Sequence, residues 1–195
     1  LELLTTGGSN VAIGSQSGSY LTIETRNAFV GHNSGLAIKG SNNSFFGALS
    51  GQSTQTGANT AAYNVGLGTS SLIAINEGTY NTASGYQSLY RLINGNYNVS
   101  SGAFSGSNFK SGTGNLFFGY NSGSSCDTGN SNIYIGHDSA SKKGNSAEVN
   151  SNRNIFIGRI SGGGVYGENN VFIGTGAGFA PGTNLLNVNN KLVIH

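Results

Sequence analysis

The sequence is poor in the residues that mark several common classes of protein. Its 195 residues include no Met, no Trp, one Pro and one Cys, and only 8% of them are charged. A lone Cys126 cannot form a disulfide within the chain, so no disulfide framework is expected. The formal net charge of +2 is too small to indicate a nucleic-acid surface. No segment approaches the roughly 20 apolar residues of a membrane-spanning helix, so we expect no membrane insertion.

Glycine and small polar residues are present instead, together with regularly placed apolar ones. The chain has 33 Gly and is 10% aromatic. Disorder is favoured by high net charge and few aromatics, and this chain has neither property. We therefore expect an ordered, fibrous β protein. Because residue 1 is Leu and not Met, we also expect a processed chain or a segment of a longer protein.

A short motif recurs along nearly the whole sequence. In each of ten copies, an Asn is followed four residues later by a Gly, and most successive copies begin 16 or 17 residues apart. The Asn residues are at positions 10, 27, 43, 64, 81, 98, 115, 132, 154 and 170, and the Gly residues at 14, 31, 47, 68, 85, 102, 119, 136, 158 and 174. A fixed period of this length indicates a stack of similar structural units.

The residues within the motif indicate the kind of unit. The consensus is N-h-x-h-G-x-x-S-G, where h is apolar, and the residues after Asn are mostly β-branched or aromatic, as in a short strand. No longer helical pattern is present. The sequence therefore predicts an all-β fold, a parallel β-solenoid or β-roll of about ten 17-residue repeats. We expect one domain over residues 1–195, with residues 179–195 as a terminal strand or cap.

The remaining part of each repeat varies. Apolar stretches at 20–23, 72–75 and 89–93 resemble a second short strand, whereas 124–129 consists mostly of turn residues. Two repeats are longer than the rest, with the extra residues lying within 52–63 and 141–153. Insertions in a solenoid form loops on one face, which is often the binding face.

The motif strands are apolar on both faces, which predicts an oligomer. Alternate side chains of a strand face opposite ways. We expect the first and third strand residues, such as Val11 and Ile13, to fill the coil. The middle residues would then point outward and need a cover, because strands apolar on both faces are normally buried on both. Neighbouring copies of the chain would supply it, packed side by side as a homotrimeric fibre. The predicted oligomer interface is Phe29, Phe45, Phe117, Tyr134, Phe156 and Phe172.

The three near-constant residues of the motif have structural explanations. Gly permits a sharp corner after the strand because it tolerates positive φ, and Asn suits the preceding corner because it tolerates left-handed geometry. Stacked Asn side chains can also form an amide ladder between rungs. The Ser at the eighth position can satisfy local backbone groups. Ligand binding is the alternative for these residues, although a binding residue need not recur in every repeat.

Tyrosines are the first candidate ligand contacts. Tyr63, Tyr80 and Tyr97 each precede the repeat Asn, so the period predicts that they stack on three successive rungs. Such a ladder either packs in a core or an interface or, if exposed, binds sugar rings. Tyr86 and Tyr120, which each follow a repeat Gly, are further candidates.

A pair of lysines is the second candidate contact. Lys142 and Lys143 lie in the longer insertion, 141–153, and form the only adjacent basic pair. The insertion is either a solvated loop or a contact site.

Residues for chemistry are sparse, and we expect neither an enzyme nor a bound cofactor or metal. Enzymes that cleave polysaccharides use paired carboxylates, but the acidic residues here mostly occur singly and at different repeat positions. His32 and His137 share a repeat position but lie six repeats apart, too far to share a metal ion. Gly162 to Gly164 lack the Lys and Ser or Thr that follow in a phosphate-binding loop.

Short segments of the sequence resemble two families. SNVAIGSQS (9–17) resembles the repeat of trimeric autotransporter adhesin heads. GYQSLY (85–90), NYN (96–98) and the close NVFIGTGAGF…NNKLVIH are similar to the repeat region of phage tail-fibre proteins, over residues 9–195. The resemblance implies a trimeric fibre, in a family whose members often end in a self-cleaving chaperone domain that is not found in this sequence. No binding residue can be carried over.

The sequence thus predicts a structural and receptor-binding segment of a trimeric attachment fibre of a phage or phage-like particle, located on the virion. Its expected partners are two further copies of the chain, a host cell-surface glycan or protein receptor, and other fibre or baseplate proteins. The alternatives are a bacterial trimeric surface adhesin head and an ice-binding solenoid. An ice-binding surface would need a regular Thr row, and none aligns at the ten motifs.

Overall fold

The computed structural model describes residues 6–53, 59–141, 150–179 and 186–195 of the chain. In these residues all regular structure is β, in two parallel sheets that run along a solenoid. The first sheet consists of β1 (Val11–Ile13), β2 (Ala28–Val30), β3 (Ser44–Phe46), β4 (Val65–Leu67), β5 (Thr82–Ser84), β7 (Val99–Ser101), β9 (Leu116–Phe118), β11 (Ile133–Ile135), β13 (Ile155–Ile157), β15 (Val171–Ile173) and β17 (Leu192–Ile194). The second consists of β6 (Asn94–Asn96), β8 (Ser111–Thr113), β10 (Thr128–Asn130), β12 (Asn150–Asn152), β14 (Val165–Glu168) and β16 (Leu186–Asn187).

Each repeat forms one rung of the stack. The first sheet runs in sequence order from β1 to β17, and every neighbouring pair is parallel, with the same motif positions opposite each other. Ile133, for example, is opposite Leu116 on one side and Ile155 on the other. At about 4.8 Å between strands, eleven strands make a rod on the order of 50 Å long. The predicted all-β parallel solenoid is confirmed.

The second strands are not where the sequence indicated. The stretches 20–23, 72–75 and 89–93 form no strands and lie mainly in turns, although Leu72, Ile75 and Leu89 are fully buried. The second sheet instead forms from polar triplets such as Asn94–Asn96 and Thr128–Asn130. Their middle residue is small and buried, which lets the backbone of this sheet approach the core closely.

The predicted inward and outward faces of the first sheet are reversed, and the predicted interface is wrong. The six rings assigned to it are at most 2% exposed in the single chain and lie in its hydrophobic core. These rings are Phe29, Phe45, Phe117, Tyr134, Phe156 and Phe172. Val11 and Ile13, expected inside, are 52% and 59% exposed. The alternation of side chains was correct, but the bulkier middle residue is the one that fills the coil.

The core rings stack along the rod axis. Phe156 and Phe172 are nearly parallel, with ring centroids 4.9 Å apart, and Tyr134 stacks on Phe156 at 5.0 Å. In the five rungs that have both a strand ring and a ninth-position Gly, the ring lies against that Gly, and a side chain there would collide with the ring, as at Gly35 beside Phe29. In these rungs the core holds one large side chain at this level.

In rungs four and five the small residue is in the middle of the strand and the large one is at the ninth motif position. Their middle strand residues are Gly66 and Ala83, and their ninth motif residues are Leu72 and Leu89, both fully buried. The leucines occupy the interior where other rungs have a ring.

An unbroken ladder of Asn side chains links all ten repeats. The backbone N–H of each repeat Asn donates to Oδ1 of the Asn one rung before it, from Asn27 to Asn170, and Lys191 N–H donates to Asn170 Oδ1 at 3.0 Å. Each Nδ2 from Asn27 onward also donates to a backbone carbonyl just before the corner of the following rung, as Asn98 does to Gly112 O at 2.9 Å. The predicted amide ladder is confirmed.

The motif Ser and Gly complete the links between rungs. Eight of the buried serines donate to the carbonyl of the middle strand residue on the next rung, for example Ser122 Oγ to Tyr134 O at 2.8 Å. The Gly that ends each motif strand has φ between 122° and 136°, as predicted for a corner. The left-handed residue at the preceding corner, however, is the one before the repeat Asn, not Asn itself.

The C-terminal residues extend both sheets. β16 pairs with β14, and β17 pairs with β15. Leu192–Ile194 forms an eleventh rung, in agreement with the terminal strand expected within residues 179–195.

One core ring carries a polar atom that has no hydrogen-bond partner among the described residues. The Tyr134 hydroxyl is buried beside the Cys126 thiol and the Ser151 and Asn154 side chains, but none of the described residues meets it with hydrogen-bond geometry. Burial raises the pKa of the phenol well above its ordinary value and raises the pKa of Cys126 to about 12. Both groups therefore remain protonated at neutral pH.

We expect Tyr134→Phe to raise the free energy of unfolding by about 1 kcal/mol, because it removes a buried hydroxyl without a partner. Phe already occupies the equivalent positions 117, 156 and 172. Urea unfolding followed by circular dichroism would measure the change. Tyr20→Phe, at a residue that is 49% exposed, should change stability by less than about 0.5 kcal/mol. A destabilised Tyr134→Phe variant would show that the hydroxyl is satisfied.

Candidate functional site

A row of exposed tyrosines lies at the corner that joins the two sheets. Tyr63, Tyr80 and Tyr97 each precede the repeat Asn and have φ of 56–58°. The centroids of Tyr63 and Tyr80 are 4.7 Å apart, those of Tyr80 and Tyr97 are 5.1 Å apart, and the ring planes are within 8° of parallel. The predicted stack is confirmed. The rings are 47%, 47% and 60% exposed, so the ladder lies on the surface and not in the core.

The two ends of this tyrosine ladder differ. On the Tyr63 side, the next residues in the same row are Asn42 and then Arg26, whose Nε donates to Asn42 Oδ1 at 2.7 Å. On the Tyr97 side, the next residue is Gly114, whose N–H donates to Asn96 O one rung back. A methyl group at Gly114 would meet nothing within 4 Å. The ladder therefore ends at an open space.

A second aromatic group, the aromatic strip, lies at the other end of the first-sheet strands. Tyr86 packs edge-on to Phe104, which packs edge-on to Tyr120, with centroids 5.2 and 6.0 Å apart. Tyr120 stacks on His137 at 5.0 Å. Tyr86 and Tyr120 are 47% and 49% exposed. The structure thus brings two of the candidate tyrosines into one surface cluster, separate from the tyrosine ladder.

Between these two aromatic groups, the outer face of the first sheet is more polar than elsewhere. On β5 and β7 the outward residues are Thr82, Ser84, Val99 and Ser101. On the flanking strands they are large and apolar, including Leu67 on β4 and Phe118 on β9. The middle of the rod therefore carries hydroxyls bordered by aromatic rings.

Charged groups are few and mostly paired around these surfaces. Arg153, three rungs beyond Tyr97 in the ladder row, binds Glu168 at 2.6 Å. His137 Nδ1 lies 2.9 Å from Asp138, which also accepts a hydrogen bond from Asn121. Away from the aromatic groups, Lys110 pairs with Asp127 at 2.7 Å. The two aromatic surfaces are thus largely neutral.

The other residues considered from the sequence are far apart or lie outside the described ranges. His32 and His137 are on rungs separated by six steps of the first sheet. Within the described ranges, no three His, Cys, Asp or Glu side chains gather where they could hold a metal ion. The same part of the chain contains no helix with the length and apolarity to cross a membrane. Lys142 and Lys143 are among the residues that the structure does not describe.

Sequence inspection missed Phe104 and Gly114. Phe104 has the left-handed φ of 58° found at the second residue after most repeat Gly residues, which aims its ring at Tyr86 and Tyr120. Gly114 could have been noticed because it is the residue that continues the 17-residue spacing of Tyr63, Tyr80 and Tyr97. A surface of this kind can bind a ligand through ring faces and neutral hydrogen bonds.

Comparison with known proteins identifies no relative: no protein-family model, no curated protein and no solved structure matches this chain.

Proposed function

We propose that this chain is a rigid segment of a trimeric attachment fibre that carries receptor-binding surfaces along its length. The observation that supports the proposal most strongly is the outer face of the first sheet, which is apolar on both sides of the more polar strands β5 and β7. Exposed residues on this face include Val11, Ile13, Phe46, Leu67, Phe118, Ile173, Leu192 and Ile194.

The outer face of the first sheet replaces the buried rings as the proposed contact between copies. Strands that are apolar on both faces are normally covered on both. Here the inner face is covered by the chain itself, so only the outer face needs a partner. The nine strands other than β5 and β7 give the apolar parts of this face a projected area on the order of 400 Å². This is within the range of the largest apolar patches on monomeric proteins, which are often functional.

A rod built in this way suits attachment to a surface. The Asn ladder and the parallel sheets repeat the same bonds on every rung, so the segment resists bending and holds surface residues at fixed spacing. Three copies present three equivalent binding surfaces, and weak individual contacts then add up through avidity. The tyrosine ladder and the aromatic strip are the proposed receptor contacts, because both are exposed and aromatic.

The similarity to tail-fibre repeats favours a phage or phage-like particle as the source, with host cell-surface glycan or protein as the receptor. The runner-up is the head of a bacterial trimeric surface adhesin, which the same rod would serve equally well. Neighbouring genes distinguish the two: genes for tail and baseplate proteins would favour the fibre, and their absence would favour the adhesin.

Sedimentation equilibrium would test the oligomer. We expect a mass three times the 19.9 kDa of one chain. The double variant Phe118→Thr, Ile173→Thr should shift the mass toward one chain while keeping the circular dichroism spectrum, because Thr favours strands but removes apolar surface. Ile23→Thr, which changes an apolar residue that is 67% exposed outside the sheets, should leave the trimer intact. A folded monomer for the unmodified chain at micromolar concentration would contradict the proposal.

A further inference from the structure

We infer that the open ring face of Tyr97, above Gly114, binds one pyranose ring of a glycan. The inference rests on the proposed attachment function and names the receptor chemistry for one site. The tyrosine ladder continues rung by rung until the position of its next ring is left empty. The geometry points to a ligand ring that stacks in that place.

The backbone does not require Gly at position 114. Its φ is 70°, in the left-handed region that favours Gly. Ten other residues occupy the same row on other rungs with φ of 55–64°, and all carry side chains. They are Ser9, Arg26, Asn42, Tyr63, Tyr80, Tyr97, Ser131, Arg153, Asn169 and Asn190. On all of the other rungs, from the first to the last, this corner therefore accepts a residue that carries a side chain.

Packing does not require Gly there either. The strand-ending glycines would collide with backbone atoms if they gained a methyl group, and the ninth-position glycines beside core rings would collide with those rings. A methyl group on Gly114 would meet no atom within 4 Å. The feature that this Gly does affect is the access to the ring of Tyr97, which is 60% exposed compared with 47% for the two rings behind it.

The spacing of the row suits a stacked sugar. The rings of the ladder repeat every 4.7–5.1 Å along the rod. Aromatic rings in proteins stack at similar centroid distances, about 4.5–7 Å. A pyranose ring presents a face of C–H groups that can lie on an aromatic face in the same manner. Beyond Gly114 the row continues with Ser131, so the next bulky side chain, Arg153, is three rungs or about 14 Å from Tyr97.

The neighbouring groups favour a neutral sugar over an apolar aromatic ligand. Thr113 and Ser131 place hydroxyls on the rungs beside and beyond Gly114, and both residues are exposed. Small-ligand sites typically combine an apolar surface with a few polar groups that fix orientation. Arg153, the nearest cation in the row, is already bound to Glu168 and Asn169. A ring with peripheral hydroxyls matches this arrangement.

The position of the site agrees with the proposed trimer. Tyr97 lies between β6 and β7, and Gly114 lies between β8 and β9, so the site is at the corner where the two sheets meet. It lies outside the apolar outer face of the first sheet. A receptor glycan could therefore reach it when that face is covered by neighbouring copies.

A printed oligosaccharide array probed with the labelled full chain would test the inference. The array should include neutral hexose, N-acetylhexosamine and deoxyhexose glycans. We expect the unmodified chain to bind at least one neutral glycan, and calorimetry with that glycan to give an affinity at least about tenfold weaker for Gly114→Asn and Tyr97→Ala. Tyr97→Phe, which retains the ring face, should stay within about threefold of the unmodified chain.

Gly176→Asn is the matched control. Gly176 also has a φ of 70° and nothing within 4 Å of an added methyl group, but no tyrosine precedes it in its row. Asn occupies left-handed positions in both rows, at 42 and 121, so neither Asn variant should unfold the chain. Gly176→Asn should bind the glycan as the unmodified chain does.

Two outcomes would overturn the inference. If Gly114→Asn binds the glycan as strongly as the unmodified chain, the sugar contact lies elsewhere. If no glycan on the array is bound, the site is not a sugar site. In both cases, a trimer that still adheres to host cells would leave the attachment function standing. A monomer without adhesion would remove the proposed function as well.

Discussion

Gly85→Ala should lower the free energy of unfolding by more than about 3 kcal/mol, because it combines backbone strain with a backbone collision. Gly85 has φ of 130°, which side-chain-bearing residues rarely adopt. An added methyl carbon would lie 2.5 Å from the carbonyl oxygen of Gly102 on the next rung. The methyl carbon is bonded directly to the backbone of one rung and the oxygen belongs to the backbone of the next, so neither can move aside without separating the rungs.

The position of Gly85 in the middle of the stack should also change the shape of the unfolding transition. Gly85 follows the fifth of eleven strands in the first sheet. In stacked repeats each unit contacts only its neighbours, so a broken contact in the middle separates two cooperative blocks. Thermal unfolding followed by circular dichroism should therefore show a lower midpoint and a broader or two-step transition. Gly176→Ala, with open space around its methyl group, should cost only about 1 kcal/mol. Equal effects of the two changes would contradict this explanation.

Asn98→Asp should destabilise the rod by about 3–5 kcal/mol at neutral pH, the usual cost of an uncompensated buried charge. Asn98 is fully buried, and its Nδ2 donates to Asn81 Oδ1 and to Gly112 O, both at 2.9 Å. The substitution keeps the shape but replaces this donor with an oxygen that faces two acceptors. Urea unfolding at constant pH would measure the loss.

The same variant should regain stability as the pH falls. Burial and the facing oxygens disfavour the charged form, so they raise the pKa of the new carboxyl above its unfolded value. The destabilisation is then complete above the folded pKa and decreases as the pH falls toward about 4, the unfolded value. Asn94→Asp, at an exposed residue of β6, should change stability by less than about 0.5 kcal/mol at either pH. A pH-independent loss for Asn98→Asp would count against a buried charge as the cause.

Much of the architecture could be predicted from the sequence because every rung repeats the same requirements. The Asn ladder, the Gly corners and the parallel register all follow from residues that recur at one spacing. The tyrosine ladder could be predicted for the same reason, since Tyr63, Tyr80 and Tyr97 are separated by the period of the solenoid. The second sheet could not, because polar triplets such as Asn94–Asn96 carry no strand-like composition.

The orientation of the first sheet needed information from two motif positions together. Alternation shows which residues share a face, but a strand such as Ile155–Ile157 is apolar on both, so it does not show which face is inside. The pairing of the middle strand residue with the ninth motif residue is more informative. In five of the six rungs with a ring in the strand the ninth motif residue is Gly, as in Phe156 and Gly162, whereas Gly66 accompanies Leu72. When a large side chain occurs at only one of these two positions, both positions must face the same enclosed volume, which is the core.

The repeated Asn bonds have a consequence for the evolution of the rod. Because each rung meets the next through the same donors and acceptors, one rung can follow any other, as Lys191 shows by taking the place of an Asn at the last step. Whole units can thus be duplicated or lost without rebuilding their neighbours. The length of such a rod is set by the number of repeats that its gene encodes, while the exposed residues of each repeat can change independently.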